Sequence, residues 1–261
     1  MSMQGLYAQW LDLIPAVWWP FCRLLAAFSI APFIGDAVVP LQARIGLALA
    51  LAVACIPGMP AHSPIDPFTL HGIAASVEQV IIGLLFGLAF QLTLSILALL
   101  GFLLSSQMGL SMAVMNDPGN GNSSDVVSSL LYLFAALLFF AMDGHLVLAQ
   151  VVYASFRAWP LGGGIPQASL GALAGSVGWV MSAAMILALP VVFATFVVQA
   201  GFGMINRVAP ALNLFSLGFP VVTLFGLGTL TLLMQVLPPQ YLSLSEQTLR
   251  LLNQLLEMGH G

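Results

Sequence analysis

Apolar residues run along this chain in stretches too long and too unbroken for the surface of a soluble domain. The runs are 13–34, 41–56, 70–104, 126–156, 170–205 and 215–237. About 20 apolar residues in a helix are enough to cross the hydrocarbon of a bilayer, so each run is a candidate membrane helix. Run 41–56 is short for that task, while 70–104, 126–156 and 170–205 are longer than a simple crossing needs. Pro15, Pro20 and Pro190 fall inside runs, where each removes a helix hydrogen bond and frees a carbonyl that a neighbour must satisfy. The pattern predicts an all-α integral membrane protein, a single domain of about six long, kinked helices arranged as hairpins. Between the runs lie 35–40, the Pro-rich 57–67, 107–125, 159–166 with Gly162-Gly163-Gly164, and 206–213.

The sharpest break is 107–125, QMGLSMAVMNDPGNGNSSD, a polar and Gly-rich interruption between two strongly apolar runs. Met108, Met112 and Met115 have helical spacing, and Asn116-Asp117-Pro118-Gly119 ends any helix that reaches it, because Pro118 lacks an N–H and disfavours the α conformation at Asp117. Unbranched thioether chains fill gaps in ordinary cores, and they also close around varied shapes and yield again. The break reads as a flexible stopper, with core filling as the competing role for the methionines.

Beyond the last run the character changes. After Pro238-Pro239, Ser243 and Glu246 have capping-box spacing, and 238–261 is expected to form a separate amphipathic helix. Glu246, Arg250, Asn253, Gln254 and Glu257 fall on one face of it, and Leu249, Leu251, Leu252, Leu255 and Leu256 on the other. Gly83 and Gly87 form a G-x-x-x-G pattern, most simply a close helix contact.

Composition confirms the class. Hydrophobic residues make up 60% of the 261 and charged residues 5%, against roughly a quarter charged in soluble domains. Mean hydropathy is +1.05. There is no lysine, and the five arginines form no basic stripe, which excludes nucleic acid as a partner. If all six runs crossed, Arg157 and Arg250 would face one side and Arg44 and Arg207 the other, so the bias of basic loops toward the cytoplasm gives a tie. The first apolar run has no basic residue before it and no cleavage pattern after it, and it is expected to remain in the mature chain. Cys22 and Cys55 lie in apolar runs and define neither a disulfide nor a metal pattern.

Polar residues inside apolar runs are expensive and are therefore candidates for function. They are Arg23, Glu78 with Gln79, Gln91, Asp143 with His145, Gln150, Gln199, and Asn206 with Arg207. Asp143-Gly144-His145 has two readings, a proton relay or a bend between two half-segments. A relay there, with Glu78, would suit an ion-coupled secondary transporter, which usually carries inverted repeats; none is evident. Gly109-Leu110-Ser111 is a bare G-x-S for which His145 would be the base, a pattern that arises easily by chance. No nucleotide-binding loop is present, and the isolated histidines lack metal spacing, so no catalytic residue, cofactor or metal is expected.

QMGLS at 107–111 followed by Asp117-Pro118, then Gly144-His145-Leu146 and Pro160-Leu161-Gly162-Gly163, resembles the FliR family of flagellar type III export-gate proteins. Leu187-Ala188-Leu189-Pro190, Asn206-Arg207-x-Ala209-Pro210 and Gly218-Phe219-Pro220 extend the resemblance over essentially the whole chain. It implies a non-enzymatic pore subunit of the bacterial inner membrane and flagellar basal body, assembled with FliP and FliQ, with FlhB and FlhA nearby and flagellar proteins in transit. It further implies a FliP-like part over 1–186 and a FliQ-like hairpin over 187–237. The plug of the pore would be 107–122, comprising Gln107, Met108, Gly109, Met112, Met115, Asn116, Asp117, Pro118, Gly119, Asn120, Gly121 and Asn122. A partner contact would lie at the hairpin turn, with Asn206, Arg207, Pro210 and Asn213. Asp143 departs from the family pattern, which weakens the relay.

Overall fold

In the computed structural model of the chain, residues 3–37, 39–56, 65–110, 125–208 and 217–258 are described. They form seven α-helices and no strand: α1 Met3–Ile30, α2 Leu41–Cys55, α3 Leu70–Gln107, α4 Val126–Ala141, α5 Gly144–Ala158, α6 Gln167–Val208 and α7 Phe219–Met258. The protein is an all-α membrane protein. α3, α6 and α7 are long and apolar enough to cross a membrane, and α4 with α5 makes a fourth candidate if the bent pair is one span. Ile14–Ile30 and Leu41–Cys55 are shorter apolar helices.

Run 126–156 breaks at Met142-Asp143 and its halves bend by 65°, the bend that was one reading of Asp143-Gly144-His145. Conversely, Pro238-Pro239 does not end a helix, because α7 runs through both prolines to Met258. Proline is compatible with helical φ and forfeits one hydrogen bond, a loss that packing can offset. Leu237 and Tyr241, on either side, are buried. Ser243 therefore lies inside a helix and caps nothing, while Glu246, Arg250, Asn253, Gln254 and Glu257 are exposed and Leu252 and Leu255 are buried, as amphipathic spacing requires.

The chain divides into two compact units, one of residues 1–92, 142–176 and 247–261, the other of 93–141 and 177–246. The first has a continuous core in which Leu24, Phe28, Ile82, Phe86, Leu148, Val152 and Trp159 are buried together. Its G-x-x-x-G face does bring backbones close. A Cβ on Gly87 would lie 2.5 Å from the Ala27 carbonyl oxygen, and one on Gly83 would collide with the Arg23 carbonyl. Only glycine permits α1 and α3 to approach so far.

In the second unit, α3 meets α4 where a Cβ on Gly101 would lie 2.6 Å from Ser128 Cα. Asp125 starts α4: its carboxylate accepts from the Ser128 N–H at 2.7 Å and the Ser128 hydroxyl at 2.8 Å, an N-cap of ordinary chemistry. α6 leaves Met185, Ile186, Leu189, Phe193, Phe196 and Val197 exposed. A face this apolar suits lipid or other protein rather than water.

Candidate functional site

Arg23 lies at the centre of the first unit with no exposed surface. Its Nε donates to Gln79 Oε1 at 2.8 Å, Nη1 to Ser155 Oγ at 2.9 Å, and Nη2 to the Trp159 carbonyl at 2.9 Å. The guanidinium also sits 4.0 Å over the Phe156 ring. Ser155 passes its own proton to the Val152 carbonyl at 2.6 Å, so its oxygen is free to accept. One planar, five-donor group thus ties α1 to α3, to α5 and to the turn after α5, as a lysine ammonium would not. The same turn is held twice more: Trp159 Nε1 donates to the Leu255 carbonyl at 3.0 Å, and the Gly162 N–H donates to Glu78 Oε1 at 3.2 Å. Gly162 and Gly164 have φ of +77° and +78°, conformations open to glycine.

Asp143 and His145 flank the 65° bend. Asp143 adopts a left-handed conformation, φ 55° and ψ 30°, an uncommon one for a residue with a Cβ. Its backbone carbonyl accepts from Leu146 and Val147 and so starts α5, while its side chain makes no capping bond. The carboxylate is exposed and His145 is half-buried. The bend reading accounts for this tripeptide. Gln91 is half-buried in α3, and Gln150 is exposed on α5.

In the second unit α3 ends where the polar break begins. α3 ends at Gln107, well before Pro118, through a Schellman motif: Leu110 N–H donates to the Ser105 carbonyl at 3.0 Å and Gly109 N–H to the Ser106 carbonyl at 3.2 Å. Gly109 has φ +72°, the left-handed residue this cap requires. Met112 and Met115, which share helical spacing with Met108 in the sequence, lie outside the described residues. Met108 itself is fully buried, its side chain 2.6 Å from where a Cβ on Gly226 would be. Gln199, exposed on α6, donates to the Gln107 carbonyl at 3.2 Å, and the Thr223 hydroxyl donates to the Met108 carbonyl at 2.9 Å. Ser111, Met112, Met115, Asn116, Asp117, Pro118, Gly119, Asn120, Gly121 and Asn122 lie outside the described residues, as do Pro210 and Asn213. Asn206 and Arg207 are exposed in the last turn of α6, where a cation is favourable against the helix dipole.

Ser155, Phe156, Trp159 and Thr223 are the participants that sequence reasoning missed. A buried arginine demands acceptors, but nothing in the sequence says that a backbone carbonyl across 136 positions supplies one.

Among the described residues these geometries are caps, clamps and a bend. The family model for bacterial export proteins, family 1, matches residues 14–248. The chain belongs to this family. It is 35% identical to the flagellar biosynthetic protein FliR of Pectobacterium carotovorum subsp. carotovorum over 85% of each chain, and 30% identical to that of Escherichia coli K12 over 88% of each. It is 28% identical to the Yop proteins translocation protein T of Yersinia pestis, over 76% of this chain and 78% of that one.

Proposed function

We propose that the protein is a component of the flagellar type III export apparatus, a subunit of its membrane gate. The observation that carries this reading is the family match across 14–248 together with similarity to FliR over most of both chains. The gate assembles from this chain with FliP and FliQ, lies in the inner membrane at the flagellar basal body, and works beside FlhB and FlhA. Its 1–186 part packs as FliP does, 187–237 forms a FliQ-like hairpin, and 238–261 follows as an amphipathic end. The apolar outer face of α6 supports partners of like character, since so much exposed Met, Leu and Phe requires cover. Removing the gene from its host is expected to stop secretion of filament subunits and to abolish swimming. Undiminished secretion in the deletion strain refutes the assignment.

Within that assembly the segment 107–122 is the plug of the pore. Its Gly119, Asn120, Gly121 and Asn122 carry little apolar side chain that could anchor them to a neighbour. Shortening 119–122 together with Met112→Ala and Met115→Ala is expected to raise ion leakage in cells making the full complex, without lowering its yield. A complex as tight as wild type shows that the seal lies elsewhere.

A further inference from the structure

The carbonyls that end a helix have no partners within it, and in lipid no water replaces them. At the end of α3 every one is accounted for. Leu104 accepts from Met108, Ser105 from Leu110 and Ser106 from Gly109. The last two are met from outside the helix: Gln199 of α6 donates to Gln107, and Thr223 of α7 donates to Met108. Side-chain packing repeats the arrangement. Met108 fills the space left by the absent side chain of Gly226, and Phe219 lies against Gly109, 2.5 Å from the position its Cβ would take. Larger residues at 109 or 226 would displace these neighbours.

We propose that Gln199, Phe219, Thr223 and Gly226 form a latch that holds the 107–110 turn permanently, through resting and transporting states alike. Met108 is then an anchor of the 107–110 turn and not part of any moving face. The functional side of this inference rests on the export-gate reading; the latch itself rests on the contacts.

The test is a disulfide across the latch. A Cβ at 226 lies 2.6 Å from Met108 Cγ, hence at most about 4 Å from the Cβ of residue 108, not beyond the ~4.5 Å reach of a disulfide. Met108→Cys with Gly226→Cys, in a chain with Cys22→Ala and Cys55→Ala, is oxidised with copper phenanthroline in cells that assemble the whole complex. The expected result is a bond in most of the protein, with secretion of filament subunits within about twofold of the reduced control. No bond, when both single-cysteine proteins accumulate, overturns the latch. A bond that stops secretion until dithiothreitol is added overturns its permanence.

Should the double variant fail to accumulate, Met108→Cys alone is labelled with a membrane-permeant maleimide. The thiol is expected to react at least about tenfold more slowly than in denatured protein, as a group reached only by local opening does, and to lose that protection on Gly226→Leu. Equal rates in native and denatured protein overturn the proposal. A latch that passes these tests while shortening 119–122 causes no leak removes the plug and leaves the anchor standing.

Discussion

Replacing Arg23 by alanine removes a charged donor from three acceptors that have no access to water: Gln79 Oε1, Ser155 Oγ and the Trp159 carbonyl. Three neutral interhelical hydrogen bonds in lipid, at about 0.6 kcal/mol each, set a floor of roughly 2 kcal/mol. Three bonds to a charged group at about 1.5–3 kcal/mol each set a ceiling of roughly 5–9 kcal/mol. Removing one member of a buried charged network costs about 3–5 kcal/mol, between these limits, because the acceptors stay buried and unpaired. That middle range is the expected loss.

At roughly 2–4 °C per kcal/mol for a chain of this size, it lowers the melting temperature by about 6–20 °C. The purified complex in mild detergent, heated and followed by fluorescence-detected size exclusion, reports it directly. Arg23→Lys keeps a charge but lacks the fork and is expected to fall between wild type and Arg23→Ala. Arg23→Met combined with Gln79→Met is expected to cost less than the sum of the two, by about 0.5–3 kcal/mol, as residues in one network do. A melting curve for Arg23→Ala within 2 °C of wild type, or strict additivity in the double variant, contradicts the network described here.

Gly87→Leu is expected to destabilise by at least about 1–3 kcal/mol through overpacking against Ala27, whereas Gly201→Leu, with nothing within 4 Å, leaves the isolated chain unaffected; protein yield in membranes separates the two. Asp143→Gly is expected to be neutral or to stabilise by up to about 1 kcal/mol, since glycine takes a φ of 55° freely, and Asp143→Val to destabilise, both read as melting temperature. Neutral behaviour of Asp143→Gly in export assays also counts against a proton relay at this position. Arg207→Glu places an anion at the C-terminal end of α6 and is expected to weaken copurification of the FlhB-like partner while leaving the core assembly intact; loss of the core assembly instead makes Arg207 an internal structural residue.

The apolar runs carried the helices because a lipid-compatible stretch has few other ways to satisfy its backbone, and run 70–104 became α3 almost unchanged. What they did not carry was where helices stop. Pro238-Pro239 looked like a boundary and is interior, because a proline pair signals only the hydrogen bonds lost locally and says nothing of the burial of Leu237 and Tyr241. The end of α3 at Gln107 coincides with the start of the polar break, but the left-handed Gly109 that caps it was not singled out, although a glycine after an apolar run is the usual C-terminal signal. Asp143 gave no sequence sign of its left-handed backbone beyond its place before Gly144. Arg23 was legible as an expensive residue, and its Gln79 partner as polar, but Ser155 and the Trp159 carbonyl become acceptors only once distant helices meet.

These cases share one cause. Where a chain has so few polar side chains, irregular backbone competes for them with any transport chemistry. In lipid, a turn whose N–H and C=O groups lack partners costs more than a turn in water, so polar residues in apolar runs are drawn to helix ends and bends. Glu78 holds the Gly162 N–H, Arg23 the Trp159 carbonyl, and Gln199 and Thr223 the end of α3. Glu78, which suited an ion-coupled carrier when read along the sequence, is by its bond a support of the turn after α5, as Arg23 is, while Gln199 and Thr223 let α3 stop.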